Sequence, residues 1–210
     1  MRLLLVRHGI TQHNIDQMYT GQTDVALTEL GERQAEAAGK YLADEKIDLI
    51  VSSDLQRTRR TALAIARHHS LPVLEDPDLR EVHMGTWEGF TAKQIQERDL
   101  AEWTSVRSDP INIAPLGGES FSQVYARAGK ALQHYQARYA DQTVLWTTHG
   151  GFIGILFCYA LKLDLIYRHS FRHNNASISE LTFEHELPWI MRLNDTAHLR
   201  LLDGDLLAVS

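Results

Sequence analysis

The sequence predicts an α/β fold, a three-layer α/β/α sandwich whose central sheet is mostly parallel and carries antiparallel edge strands near the C-terminus. Three observations carry this. Apolar runs such as Leu3-Leu4-Leu5-Val6 and Val144-Leu145-Trp146 lack polar alternation, as strands covered on both faces of a sheet do. Segments with helical apolar spacing separate these runs, the pattern of strand-helix-strand units. Ala176 to Phe183 alternates instead, which suits antiparallel strands at an edge.

A chain of 210 residues with 44% hydrophobic and 23% charged residues is ordinary globular material, and one domain spanning 1–210 is the expectation. The net charge of −6 argues against nucleic acid or an anionic membrane as partner, so any anion site must be a local basic pocket. The apolar stretch before Arg7 is too short for a signal peptide or membrane anchor, which makes the cytoplasm the expected location. The lone Cys158 sits in an apolar, helical run and reads as a small core residue rather than a reactive thiol.

The first strand, Leu3 to Val6, ends in Arg7-His8-Gly9. Ligands of parallel sheets sit at the strands' carboxyl ends. Arg7 offers a fork of donors for phosphate or carboxylate oxygens, His8 can be an unprotonated nucleophile near neutrality, and Gly9 lets the backbone turn sharply. The same three residues also fit the polar end of a buried strand. A polar loop, Ile10 to Ala26, leads to Thr28, the expected N-cap of a helix to about Ala43 with Leu30, Ala37, Tyr41 and Leu42 on its apolar face. Ile47 to Val51 reads as a strand, and Ser52-Ser53-Asp54 as cap residues for a helix from Leu55 to His69. Arg57 falls in that helix's first turn, where a cation opposes the macrodipole unless an anion joins it. Helical spacing puts Arg57, Arg60 and Thr61 on one side, leaving Arg57 and Arg60 in competition.

Pro72 to Glu75 is a short strand candidate, and Leu79 to Gly89 a cleft-bordering loop in which Glu81 or Glu88 could donate a proton. A helix is expected over Thr91–Val106, a turn-rich connector over 108–118, and a long helix from Glu119 or Ser120 to Tyr139. Gln142 to Thr148 repeats the opening logic: a strand ends in His149, and Gly150-Gly151 allow a turn whose free backbone N–H groups face the pocket before a helix over Phe152–Leu163. Two further strands, over 176–183 and 189–193, complete the sheet, and residues 201–210 carry no nameable chemistry.

Together these residues resemble the histidine phosphatase superfamily, also called phosphoglycerate mutase-like. The match runs through Arg7-His8-Gly9 with Thr11 and Asn14, then Gly21, Asp24, Leu27, Thr28 and Gly31, and Ser53-x-Leu55-x-Arg57-Thr58-x-x-Thr61. It continues in Leu79-Arg80-Glu81, Gly85-x-Trp87-Glu88-Gly89, Gly117-Gly118-Glu119-Ser120 and Thr148-His149-Gly150-Gly151. The resemblance implies a histidine acid-type phosphatase that needs no metal or other cofactor. In it His8 becomes phosphohistidine, Arg7, Arg57 and His149 grip the phosphoryl oxygens, and Glu81 is the proton donor. It prefers Arg57 to Arg60 and Glu81 to Glu88, and it adds Asn14 and Gly150 as phosphate-binding positions.

Family mutases resemble this chain at the same residues but usually have a longer insert between proton donor and second histidine, with an Arg-Arg segment absent here, and tend to have Trp where this chain has Gln22. The expected activity is therefore hydrolysis of a small phosphorylated metabolite; the alternatives are a cofactor-dependent phosphoglycerate mutase and a non-catalytic phospho-ligand binder. Specificity is assigned to the loops over 10–24, 83–118 and 172–175, where His83, Trp87, Arg172 and His173 are candidate pocket residues. Nothing in the sequence names the substrate or fixes the oligomeric state.

Overall fold

Six strands, β1 (Arg2–Arg7), β2 (Leu49–Ser52), β3 (Val73–Glu75), β4 (Thr143–Thr148), β5 (Ile178–Thr182) and β6 (Trp189–Asp195), form one sheet in the order β3-β2-β4-β1-β5-β6. They belong to a computed structural model that describes residues 1–202; the remainder of the expected 1–210 domain, including most of the segment 201–210, lies outside the described residues. β1, β2, β3 and β4 run parallel, and β5 and β6 are antiparallel additions beside β1.

Leu3 to Val6 are fully buried because β1 is central and covered on both faces. Side chains alternate across a strand, so Leu3 and Leu5 join one core layer with Val124, Leu132, Phe152 and Phe157, while Leu4 and Val6 join another with Leu42, Ala62 and Ile65. Each such burial contributes roughly 1.5–3 kcal/mol. The first layer is roofed by α6 (Phe121–Arg138) and α7 (Gly150–Ala160), the second by α2 (Glu29–Tyr41) and α3 (Gln56–Ala66).

Register decides what meets at the carboxyl ends. Arg7 is paired with Thr148, and Ser52 with Thr147. His8, His149 and Ser53 are the next residues in their strands' direction, so the sheet itself delivers all three to one edge.

Several local expectations are corrected. The buried stripe of α2 is Gly31, Gln34, Ala35, Ala38 and Gly39, while Tyr41 is exposed and donates to Asp195 at 3.0 Å; small residues are what let α2 press against α3. The N-cap of α3 is Leu55, which makes no side-chain cap bond. Gln56 N–H is instead capped from afar by Asp24 Oδ1 at 2.7 Å, and Ser53 is used elsewhere. The helix expected over 91–106 is two, α4 (Ala92–Arg98) and α5 (Leu100–Ser108), because Asp99 leaves the helical region and its side chain accepts Glu102 N–H at 2.9 Å. α7 starts two residues early, at Gly150, with His149 as its N-cap residue. A short helix, α1 (Gln12–Ile15), follows β1. Cys158 is buried in α7, and burial pushes its thiol up, which fits packing. Among the described residues no helix is long and apolar enough to cross a membrane.

Candidate active site

His8 is 4% exposed, and its Nδ1 lies 2.7 Å from the Gly9 carbonyl. A carbonyl only accepts, so Nδ1 carries the proton and Nε2 keeps its lone pair. Burial first, then the Arg57 and Arg7 charges, hold the imidazole well below its ordinary pKa, so it is neutral at physiological pH. Gly9 is required here by a close approach: a Cβ would stand 2.3 Å from the Gly31 carbonyl oxygen in α2.

Arg57, 1% exposed, donates from Nη1 to the Thr23 carbonyl and from Nη2 to the Gly21 carbonyl, both at 2.8 Å, and from Nε to His149 Nδ1 at 3.3 Å. Burial lowers its pKa to about 10, which leaves it charged at neutral pH. Arg60 pairs with Glu32 at 2.7 Å on the surface, so the two arginines that spacing could not separate are separated by burial. His149 is fully buried; because Nδ1 accepts, Nε2 carries the proton and donates to Ser53 Oγ at 2.9 Å. Burial, ahead of the Arg57 charge, pushes its pKa well down too. The rings of His8 and His149 meet edge-on with centroids 5.2 Å apart.

Arg7 donates from Nη1 to the His173 carbonyl at 2.6 Å, while its Nε is buried without a partner. Beside it, a Cβ on Gly150 would lie 3.2 Å from that Nε. Burial lowers the Arg7 pKa, opposed by the charge of Glu81. Glu81 Oε2 accepts Gly151 N–H at 3.0 Å, and Oε1 accepts Phe152 N–H at 2.8 Å and Val82 N–H at 3.0 Å. The N–H groups at the start of α7, expected to face the pocket, are thus taken by a carboxylate, as a helix N-terminus favours.

Glu88 is committed to architecture: it accepts Gln22 N–H at 2.8 Å, Met84 N–H at 3.0 Å and the Thr23 hydroxyl at 2.6 Å. Asn14 is joined to the His8 backbone only through Asn175, whose Nδ2 donates to the His8 carbonyl at 3.2 Å, and it spends its Oδ1 on Thr11 N–H and on that Asn175 Nδ2, both at 3.1 Å, capping α1. Trp87 leaves the pocket for a separate cluster with Ile95 and Val106 and donates its indole N–H to Glu102 at 3.0 Å. His83 lies 3.7 Å from Glu88, whereas Arg172 and His173 line a cavity of about 340 Å³ with Arg7, Glu81, Gly150 and Gly151.

Sequence reasoning missed three supports. Ser53 was read as a helix cap and instead holds His149. Gln22 Nε2 donates to the Glu81 carbonyl at 3.1 Å. Arg127, paired with Glu119 at 2.9 Å, also donates to the carbonyls of Asp78, Arg80 and Glu81, fixing that loop from α6. Glu119 stands in the Gly-Gly-Glu-Ser block, a signal for such a role; Arg127 left none.

The assembled chemistry is a neutral imidazole with a free lone pair, the buried guanidinium of Arg57, the half-buried guanidinium of Arg7 and an anchored carboxyl group. Among the described residues no three His, Cys, Asp or Glu side chains are placed to hold a metal ion. The family model described as histidine phosphatase superfamily (branch 1) matches residues 3–196. Phosphoserine phosphatase 1 of Hydrogenobacter thermophilus is 34% identical over 95% of this chain and 94% of its own length. Glucosyl-3-phosphoglycerate phosphatase of Mycobacterium tuberculosis is 38% identical over 78% of this chain and 77% of its own. The crystal structure of the alpha-ribazole phosphatase from Shigella flexneri superposes with a TM-score of 0.88 at 27% identity, covering 93% of this chain and 96% of that one.

Proposed function

This chain belongs to the histidine phosphatase superfamily, branch 1, and from that premise we propose that it hydrolyses a small phosphomonoester through a phosphohistidine formed on His8. The observation that carries the reading is the His8 ring itself. Its Nδ1 proton is tied to the Gly9 carbonyl, its Nε2 lone pair is free, and two guanidinium groups sit close enough to depress its pKa.

The ester's phosphoryl oxygens take the unpartnered Nε–H of Arg7 and lie in the fixed positive field of Arg57, whose own donors are anchored to carbonyls. His149 lends its Nε2–H when a phosphoryl oxygen replaces Ser53 as acceptor. His8 Nε2 then attacks phosphorus in line: the N–P bond forms, the ester P–O bond breaks, and the departing alkoxide takes a proton from the Glu81 carboxyl group. In the second half, Glu81 carboxylate takes a proton from water as its oxygen attacks phosphorus. The N–P bond breaks, releasing inorganic phosphate and neutral His8. Positioning and preorganised charge supply the catalysis.

The test is His8→Ala against wild type on an aryl phosphate, with rapid acid-free quenching to trap labelled enzyme. We expect turnover to fall at least about a thousandfold and an acid-labile, base-stable phosphoenzyme in wild type alone. Retained turnover in His8→Ala, or a label stable to acid, would overturn the mechanism.

A further inference from the structure

We infer that the substrate carries a second anionic group besides its phosphoryl group, and that Arg168 binds it; this rests on the phosphatase reading above. The cavity beyond Arg7 has a strongly cationic lining for a protein of net charge −6: Arg7, Arg168 and Arg172 face Glu81 as the one acidic residue. Glu81 already accepts three backbone N–H groups. The histidines of this wall, His169 and His173, are pushed by burial toward their neutral forms, so the arginines hold the charge. Once a phosphoryl group has taken Arg7, the positive charge on Arg168 and Arg172 is still unanswered. Among the described residues no carboxylate is within ion-pair distance of either.

Arg168 is built in place rather than merely exposed. Its guanidinium carbon stacks 4.0 Å over the centre of the Phe121 ring, its Nη1 donates to the Leu165 carbonyl at 3.0 Å, and its Nε is buried with no partner. The turn that carries it, Leu165–Ser170, is seated on α7 at Gly154, where a Cβ would stand 2.4 Å from the Arg168 carbonyl oxygen. A stacked, tethered guanidinium loses little freedom on binding and presents a planar fork suited to a carboxylate or a phosphate. A cavity of about 340 Å³ limits the leaving group to a short chain or a single ring. An ammonium-bearing ester finds no free carboxylate in this lining.

The experiment compares 3-phosphoglycerate, propane-1,3-diol bisphosphate and glycerol 3-phosphate. The first two carry a carboxylate or a second phosphate where the third has only hydroxyls. Wild type should favour at least one of the doubly anionic esters by about 10- to 100-fold in kcat/KM; which one tells carboxylate from phosphate. Arg168→Gln should bring that preference to within about twofold of unity while leaving glycerol 3-phosphate turnover unchanged, and Arg168→Lys should retain part of it. Calorimetric binding of the same three esters to His8→Ala protein, with and without Arg168→Gln, reads the preference without turnover and should give the same order. Turnover or binding that does not distinguish the three esters in wild type, or a preference that survives Arg168→Gln, overturns the inference. Hydrolysis of glycerol 3-phosphate without any such preference leaves the phosphatase reading standing. Selective binding with no hydrolysis of any ester sinks the phosphatase reading and keeps the second-anion site.

Discussion

Arg57 Nε donates to His149 Nδ1 at 3.3 Å, and this one contact fixes which nitrogen of His149 is protonated, since the other must then donate to Ser53 Oγ at 2.9 Å. Ser53 is fully buried, so removing its hydroxyl strands a donor in a dry site. We expect Ser53→Ala to lose about 1–3 kcal/mol in denaturant unfolding and about tenfold in kcat/KM. Unfolding and steady-state kinetics that both match wild type would show that the tautomer is held some other way.

The depressed pKa of His8 has a visible consequence in the pH profile. A nucleophile titrating at the ordinary value would give an acid limb in kcat/KM near pH 6.5. His8 stays neutral well below that, so kcat/KM should hold level as pH falls from 7 through 6.5, with its acid limb displaced to lower pH. Arg57→Gln removes one of the charges that depress His8, and the limb should move back toward higher pH. A wild-type limb centred at 6.5 would contradict the environment described.

Stability should respond to acid through His173, which is 6% exposed and lowered by burial from 6.5 to about 4. Below pH 6.5 the unfolded chain binds a proton at this residue that the folded chain refuses until about pH 4. Stability is therefore full above 6.5 and declines as pH falls from 6.5 toward 4, by up to about 3 kcal/mol from this group. His8 and His149 act in the same direction. Thermal unfolding across that window should show a falling Tm, and His173→Asn a shallower decline; an equal slope in both proteins would remove His173 from the account.

Two glycine substitutions should separate catalysis from folding. A Cβ on Gly151 would lie 2.6 Å from Glu81 Oε1, the movable end of a side chain, whereas a Cβ on Gly39 would lie 2.6 Å from the Ala64 carbonyl oxygen, which is backbone. Gly151→Ala should cut kcat about tenfold or more with Tm little changed, because the carboxyl group swings aside. Gly39→Ala should lower stability by about 1–3 kcal/mol through the forced separation of α2 and α3, despite the better helix propensity of alanine, and leave kcat near wild type. The reverse pattern would refute both.

The sheet was legible because burial on both faces erases polar alternation: Leu3 to Val6 and Val144 to Trp146 state their position outright. Helix boundaries were less so. Asp99 and Glu102 form the acceptor and donor of a cap inside a pattern that looked continuous, a signal present in the sequence but overridden by periodicity. The exposed Tyr41 shows the opposite fault, since an aromatic at helical spacing was assumed buried while α2 packs through glycine and alanine. For the candidate site, helical spacing narrowed the cation to Arg57 or Arg60, and the residue mix of the 79–89 loop narrowed the acid to Glu81 or Glu88. The family resemblance preferred Arg57 and Glu81; what spacing could not show is that Arg57 is buried against the Gly21 and Thr23 carbonyls and that Glu81 takes amide bonds from α7, contacts that are long-range in the chain. Ser53 and Arg168 were hidden for the same reason: their partners, His149 and Phe121, lie 96 and 47 positions away in the chain.

The strand order sets a timetable for the molecule's birth. β1 carries His8 and is made first, yet its two neighbours in the sheet are β4 and β5, pairing Arg2 with Thr143 on one side and Thr182 on the other. At about 5–20 residues per second of synthesis, the most apolar strand waits on the order of ten seconds or more for the first of its partners. Its unpaired edges must be sheltered through that interval, and pairings this distant in sequence close slowly once the chain is free. The strand that carries His8 is therefore paired on both sides only once β5 has been made, and His8 and His149 meet at the sheet's carboxyl edge no earlier than the pairing of β1 with β4.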